Sequence, residues 1–132
     1  MKIQALFCDD VRRDETGTFI VIGVYPGVIY VDPDPSSKNI SNFVLITELE
    51  PGEHEARLMM TFHPDDGSDP QVLGDDILSL QGGDDAALVL SPSGLQLQVK
   101  GPGFLTLRLG MDGSEPSEIC SLKVLVHIEE PR

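Results

Sequence analysis

The feature that most constrains this fold is an alternation of apolar and polar residues with a period of two. Between Glu55 and His63 the alternate side chains are apolar, namely Ala56, Leu58, Met60 and Phe62. Because successive side chains of a β-strand point to opposite faces, this pattern predicts a strand with one buried face. Similar short runs recur along the chain, separated by Gly, Pro, Asp and Ser, and helical periodicity is almost absent. The sequence therefore predicts an all-β fold.

The number and spacing of these runs predict the architecture. About eight short strands with turn residues between them are typical of a single antiparallel β-sandwich, immunoglobulin-like or C2-like. A chain of 132 residues fits one domain, so we expect residues 1–132 to form a single sandwich. The run Thr18–Tyr25 is apolar on both faces, which predicts a central strand or one that crosses between packed layers.

Three other segments carry specific expectations. SPSG separates Ala86–Leu90 from Leu95–Lys100 and predicts a hairpin connection. The composition of residues 32–41 predicts a loop, because their prolines cannot join the hydrogen-bond ladder of a central strand. Residues 71–85 fit either two short strands or a strand and a helical turn.

The charge of the chain excludes several classes of partner. The 22 acidic residues outnumber the 9 basic ones, which gives a formal net charge of −13. Phosphate backbones and anionic lipid surfaces repel such a chain, so neither nucleic-acid binding nor membrane binding is expected. The start of the chain lacks the features of a signal peptide, and we expect a cytoplasmic protein. In a reducing compartment Cys8 and Cys120 are expected to stay free, although a bridge between them is possible if the terminal strands are neighbours.

The segment Cys8-Asp9-Asp10 stands directly before the most apolar run of the chain. A catalytic or metal site is one interpretation. The other, which we favour, is that Asp9 or Asp10 hydrogen-bonds the turn Arg12–Gly17 and anchors a hairpin. Gly23 lies inside the next strand, where glycine usually marks a bulge or a close backbone approach.

The strand ending Leu6-Phe7-Cys8-Asp9, the turn with Gly17 and the strand FIVIGVYPG also carry a resemblance. They resemble a family of small uncharacterised bacterial proteins, in which a strand ending Leu-Cys-Asp leads to a strand ending Ile-Gly-Val or Ile-Gly-Ile and an aromatic. The segments EPGEHEARLMMTFHPDDG and GPGFLTLRLGMDG resemble its middle and its end. The resemblance implies a compact cytoplasmic β-sandwich with no known activity, and it transfers no catalytic residues.

The best candidate metal site is HPDDGSDP, with Asp65, Asp66 and Asp69. Calcium takes six to eight oxygen ligands, and Asp-rich loops at one end of a sandwich can supply them. The spacing does not match an EF-hand loop, so the ligand set is incomplete. Apart from this calcium hypothesis no cofactor is expected.

Enzyme chemistry has little support in the sequence. His54, His63 and His127 have no metal-ligand spacing, and no Gly-x-Ser-x-Gly elbow is present. We therefore expect a non-catalytic protein-binding or accessory module, which contacts another protein through a sheet face, a strand edge or its loops. A homodimer through a strand edge is one form of this hypothesis. The alternatives are a calcium-dependent C2-like module and, less well supported, a hydrolase with an unrecognised site.

Overall fold

The computed structural model describes residues 1–32, 38–83, 87–90, 94–98 and 101–126. These residues contain ten strands: β1 (Lys2–Arg13), β2 (Phe19–Tyr25), β3 (Val28–Val31), β4 (Lys38–Thr47), β5 (Gly52–Pro64), β6 (Gln71–Gly82), β7 (Leu88–Leu90), β8 (Leu95–Leu97), β9 (Gly103–Met111) and β10 (Ser117–Val126). None of the described segments is a helix with the length and apolar character needed to cross a membrane.

The strands form two sheets. One sheet has the order β2-β1-β4-β7, with β8 also paired to β4, and the other has the order β3-β10-β9-β5-β6. All of these pairs are antiparallel except β3 with β10, which is parallel. Buried side chains of both sheets belong to one hydrophobic cluster. The predicted all-β class is therefore confirmed, with two mostly antiparallel sheets, consistent with a sandwich.

The alternating runs bury the face that the sequence predicts. In β5 the side chains of Ala56, Leu58, Met60 and Phe62 are buried, and in β9 those of Leu105, Leu107 and Leu109 are buried. Burial of one leucine side chain contributes about 1.5–3 kcal/mol to folding. The apolar alternation of the sequence is thus the main source of the stability that holds the two sheets together.

Two irregular segments of the sequence join the sheets as strands. Residues 71–82 form the single strand β6, so neither two short strands nor a strand and a helical turn is correct there, and residues 84–85 lie outside the described residues. β6 pairs with β5 along its length, with a register shift at Met60 and Thr61 of β5. The loop predicted over residues 32–41 is wrong from Lys38 onward, because β4 begins there. Ser41 and Asn42 have the composition of a loop, but they are buried in the pairing of β4 with β1.

The predicted hairpin around SPSG is wrong. Leu88–Leu90 and Leu95–Leu97 both pair with β4, one after the other and both antiparallel to it. The two strands thus run in the same direction and do not pair with each other, and their pairing partner lies more than forty residues earlier in the chain. Residues 91–93, at the centre of the predicted turn, lie outside the described residues.

The chain passes from one sheet to the other between β2 and β3. Strand β2 ends at Tyr25 in the first sheet, and after Pro26 and Gly27 strand β3 begins at Val28 in the second. The crossing follows the run Thr18–Tyr25 and does not occur within it, because β2 lies wholly in the first sheet. The alternative that Thr18–Tyr25 is a central strand is wrong, because β2 is the last strand of its sheet.

Candidate functional site

The edge formed by β2 and β3 is an uncharged, partly apolar surface. The segment Phe19–Val31 contains no acidic or basic residue, although the whole chain has a net charge of −13. Five of its large apolar side chains are exposed: Ile20 47%, Ile22 40%, Val24 50%, Val28 39% and Tyr30 63%. Exposed apolar side chains gathered along one edge, unlike single ones scattered over a surface, indicate an interaction site.

Both sheets contribute to this edge. β2 is the last strand of the first sheet, and β3 is the last strand of the second. Because only Pro26 and Gly27 separate the two strands, the two sheet edges lie on the same side of the molecule. We call the segment Phe19–Val31 the β2–β3 edge.

The backbone of β2 has unused hydrogen-bonding positions along this edge. The amide of Asp14 donates to the carbonyl of Thr18 over 2.9 Å, so these two residues form a hydrogen-bonded pair. Such pairs alternate along an antiparallel ladder, and the register of β1 with β2 continues this alternation through Arg12 and Ile20. Phe19 and Val21 therefore direct their N–H and C=O groups away from β1. The alternation does not continue past Ile22, because Gly23 has a positive φ and Tyr25 forms a pair with Phe7. On the side away from β1, no strand among the described residues pairs with β2.

The hairpin that carries the edge is fixed at its turn by Asp14. One carboxylate oxygen of Asp14 accepts hydrogen bonds from the amides of Thr16 and Thr18, both at 2.9 Å, and from the Thr16 hydroxyl at 2.7 Å. The hydrogen bond with Thr16 is the main cause of the lowered pKa of Asp14. The prediction that Asp9 or Asp10 hydrogen-bonds the backbone of the turn is wrong, because Asp14 does so, whereas Asp10 pairs with the side chain of Arg12.

Asp9 fixes the other end of the hairpin. Its carboxylate accepts a hydrogen bond from the hydroxyl of Tyr25 on β2 and lies 3.8 Å from the ammonium of Lys38. Gly23 has a φ of +68°, and a Cβ at this position would overlap the carboxylate of Asp9. The close approach predicted at Gly23 is therefore confirmed. Burial and the hydrogen bond to Asp9 raise the pKa of Tyr25, so the phenol stays protonated and keeps donating.

Four of the nine basic residues border the β2–β3 edge. Arg12 and Arg13 are opposite Ile20 and Phe19 in the ladder, Lys123 is opposite Val28, and Lys38 lies over the ring of Tyr25. The guanidinium of Arg13 lies over the Phe19 ring, 5.6 Å from its centroid. In the described part of the chain neither Arg13 nor Lys123 forms an ion pair with a carboxylate. Asp9, beside Gly23, and Asp10, opposite Ile22, also border the edge, so its surroundings carry charges of both signs.

The opposite side of the molecule differs in chemistry. Strand β6 is the last strand of its sheet, but it carries Asp75 and Asp76 in its centre. Charged residues are one of the means by which native proteins prevent a sheet edge from pairing. Such charges are absent from the β2–β3 edge.

A second polar cluster joins the start of β5 to the turn after β9. His54 is hydrogen-bonded through Nδ1 to the Asp112 carboxylate at 2.7 Å and through Nε2 to the Glu50 carbonyl at 2.8 Å. Both partners can only accept, so the imidazole that satisfies both is the protonated form, and the hydrogen bond with Asp112 raises the pKa of His54. Asp112 also accepts a hydrogen bond from the amide of Glu55 at 2.9 Å.

This cluster lines an open groove of about 500 Å³ together with Glu53, Glu55, Ser79 and Gln81. A general base needs a ring nitrogen with a lone pair that faces the substrate. Both nitrogens of His54 are hydrogen-bonded, one to Asp112 and the other to Glu50. The cluster therefore connects the start of β5 to the turn after β9. Its residues are 58 positions apart in the sequence, and no local pattern could have predicted the contact.

The cysteines and the other histidines do not assemble a nucleophilic site in the described residues. Cys8 and Cys120 are free, and they lie in different sheets. Burial is the main cause of the raised pKa of each thiol, which disfavours the reactive thiolate. His63 contacts the hydroxyl of Thr106 at 3.2 Å, and His127 lies outside the described residues.

The predicted calcium ligands occupy an exposed turn after β5. Asp66 accepts a hydrogen bond from the amide of Ser68 at 2.8 Å, which is the usual role of an aspartate in a turn, and the amide of Asp65 donates to the carbonyl of Pro102. Within residues 1–32, 38–83, 87–90, 94–98 and 101–126, no three His, Cys, Asp or Glu side chains are grouped so that they could hold a metal ion. Asp69 therefore does not join Asp65 and Asp66 in a ligand group. The calcium hypothesis has no support from this geometry and stays a prediction.

Sequence reasoning missed the main feature of the edge. The expectation that Thr18–Tyr25 is covered on both faces, as a central strand or one that crosses between layers, is wrong for Ile20, Ile22 and Val24, which are exposed. The absence of charge from Phe19 to Val31 was visible in the sequence and was the signal available. Comparisons with known proteins do not assign the chain to a family: no family model matches it, and no curated protein matches its sequence significantly.

Proposed function

We propose that this protein is a non-catalytic protein-binding or accessory module of the cytoplasm, and that it binds another polypeptide along the β2–β3 edge. The observation that carries the proposal is the exposed, uncharged apolar surface of that edge in a chain of net charge −13. The domain that presents it is proposed to be a single immunoglobulin-like or C2-like sandwich over residues 1–132.

The proposed mode of binding is the addition of a strand to β2. An extended segment of the bound chain hydrogen-bonds to the backbone groups that Phe19 and Val21 direct away from β1. Main-chain hydrogen bonds of this kind give affinity, and contacts at alternate side chains give specificity. Here the alternate contacts are made by Ile20, Ile22 and Val24.

The charge distribution supports a protein as the bound molecule. The excess of acidic residues disfavours nucleic acid and anionic membranes. Close to the edge, Arg13 and Lys123 reduce the repulsion that an approaching acidic protein would meet, since neither has a carboxylate partner among the described residues. The rest of the surface stays negative, which restricts close approach to this side.

A matched pair of variants tests the proposal. Ile22→Glu places a carboxylate in the centre of the β2–β3 edge, and Ile77→Glu places one on β6, where the side chain is also exposed, at 65%. We expect proteins retained by immobilised wild type from native lysate to be lost with Ile22→Glu and kept with Ile77→Glu. Thermal melts of both variants check that each is folded. Retention of the same proteins by Ile22→Glu, at wild-type yield, would refute the role of the edge.

A further inference from the structure

We propose that the outer face of the second sheet, next to the β2–β3 edge, binds a segment of another protein that carries carboxylate side chains between apolar ones. The binding site lies over β9 and β10, between Arg108 and Lys123. This inference goes beyond the addition of a strand to β2, because it concerns the face of the other sheet and does not depend on that mode of binding.

The alternation of side chains places both cations on the same outer face. The leucines on either side of Arg108 in β9 are buried in the core, so the side chain of Arg108 points outward. The neighbours of Lys123 in β10 are buried as well, and Lys123 therefore also points outward. Lys123 is opposite Phe104 in the pairing of β10 with β9, which places the Cα atoms of the two cations about 14 Å apart.

Neither cation is paired with a carboxylate among the residues that the structure describes. Four of the described basic residues form an ion pair with a carboxylate, namely Lys2, Arg12, Lys38 and Arg57. Arg108 and Lys123 form none, although the chain has 22 acidic residues. In addition, Nε of Arg108 is buried and has no hydrogen-bond acceptor in the described structure. Buried donors without an acceptor are rare in native proteins, and an acceptor supplied by a bound molecule is one explanation of such a donor.

The surface between the two cations is polar and uncharged. Thr106 and Ser121 are opposite each other in the ladder there, between Arg108 and Lys123. Thr106 is only 5% exposed although it lies on the outer face, because larger side chains surround it, whereas Ser121 is exposed. Nε2 of His63 lies 3.2 Å from the hydroxyl of Thr106. A carboxylate above these residues is within reach of both long cationic side chains.

The residues beside Lys123 indicate which anion fits. Its direct neighbours in the two ladders are Phe104 on β9 and Val28 on β3, which are 44% and 39% exposed. Apolar side chains of a bound segment cover these two residues, and its carboxylates meet the cations. A polyanion such as nucleic acid is repelled by a chain of net charge −13, whereas one or two carboxylates between apolar side chains meet the two cations locally. Charge complementarity therefore favours an acidic and apolar peptide segment.

Glu118 allows the sign of the effect to be tested. It is exposed and opposite Arg108 in the ladder, but the two side chains form no ion pair in the described structure. Its carboxylate repels an acidic ligand. Glu118→Gln is therefore expected to strengthen binding, whereas Arg108→Gln and Lys123→Gln are expected to weaken it.

The experiment is an NMR titration of the 15N-labelled protein with the capped peptide Val-Glu-Val-Glu-Val. An ionic strength of about 0.15 M screens repulsion from acidic residues more than about 8 Å away. We expect the largest shifts in the amides of residues 104–108 and 121–123. The same peptide with glutamine in place of glutamate is expected to bind about fivefold more weakly, the upper end for partly exposed ion pairs.

Matched variants test the role of Arg108. Arg108→Gln is expected to lower the affinity for the acidic peptide about fivefold. Arg12→Gln is the control, because it removes the same charge from an exposed arginine of the first sheet that pairs with Asp10. Thermal melts check that each variant is folded. An equal loss of affinity with the two variants, or unchanged or weaker binding with Glu118→Gln, would overturn the proposed site.

The remaining outcomes separate this inference from its alternatives and from the proposed function. Inorganic phosphate that shifts the same amides as strongly as the peptide would identify a site for any small anion and overturn the proposed partner. Shifts confined to residues 19–21 would fit strand addition to β2 and overturn this inference alone. If the peptide binds at Arg108 while Ile22→Glu keeps the proteins captured from lysate, the proposed role of the edge fails and this inference stands.

Discussion

Replacement of Gly23 by alanine adds only one methyl group, yet it is expected to lower the free energy of unfolding strongly. Gly23 has a φ of +68°, a conformation that costs a residue with a Cβ about 1–2 kcal/mol. The new Cβ would also overlap the Asp9 carboxylate, which then has to leave the Tyr25 hydroxyl. The lost hydrogen bond adds about 1 kcal/mol. Together the two effects predict a loss of about 2–3 kcal/mol in the free energy of unfolding.

The assay is equilibrium unfolding in urea, supported by thermal melts at one fixed protein concentration. For a domain of this size a loss of 2–3 kcal/mol lowers Tm by about 10 °C. Gly27→Ala is the matched control, because no atom lies within 4 Å of its added Cβ. At a site without steric conflict the same substitution is neutral or stabilises by about 0.4–1 kcal/mol.

A double-mutant cycle separates the two causes of the Gly23 effect. Asp9→Ala removes the carboxylate that the new methyl group would overlap, but it leaves the unfavourable φ unchanged. The double variant is therefore expected to lose less stability than the sum of the two single variants, by about 1 kcal/mol. A Gly23→Ala variant as stable as Gly27→Ala would refute the argument from backbone conformation and close approach.

Three further predictions concern other parts of the molecule. The stabilisation by His54 is the free energy of unfolding of wild type minus that of His54→Gln. We expect this stabilisation to be complete below the ordinary histidine pKa of about 6.5, and to fall as the pH rises through the raised pKa of His54 in the native state. An NMR titration in which Asp112→Asn leaves the native pKa of His54 unchanged would contradict the cause. Leu107→Ala in the core is expected to cost about 2–5 kcal/mol in urea unfolding, and Ile77→Ala on the surface less than about 0.5 kcal/mol. Millimolar calcium is expected to leave Tm unchanged, and a rise that Asp66→Asn abolishes would establish the loop site.

The sequence predicts most accurately where one face of a strand is buried within the chain. The alternation in β5 and β9 locates the buried apolar side chains correctly, because a period of two places them all on the face that meets the core. It does not predict that Thr61 and Thr106, on the other face, are buried as well. Gly23 is also interpreted correctly, since a glycine inside an apolar strand usually marks a position that has no room for a side chain.

Predictions fail where the structure depends on partners distant in sequence. Residues 86–100 look like a hairpin, yet β7 and β8 both pair with β4, and the choice between these partners is not encoded locally. The contact of His54 with Asp112 is missed for the same reason. For β2 the difficulty is different, because apolar residues that are exposed along an edge strand have the same sequence pattern as apolar residues that are buried in the core.

The parallel pairing of β3 with β10 has a consequence for the order of folding. It joins Val28 to Lys123 and Val31 to Val126, so two segments separated by most of the chain must meet before the second sheet is complete. Closure of so long a loop is entropically unfavourable and slow. During synthesis β3 therefore leaves the ribosome long before β10 exists, and the apolar residues of the early segment stay unprotected until nearly the whole polypeptide has been made. This interval is the stage at which nascent chains are most exposed to aggregation and to chaperones.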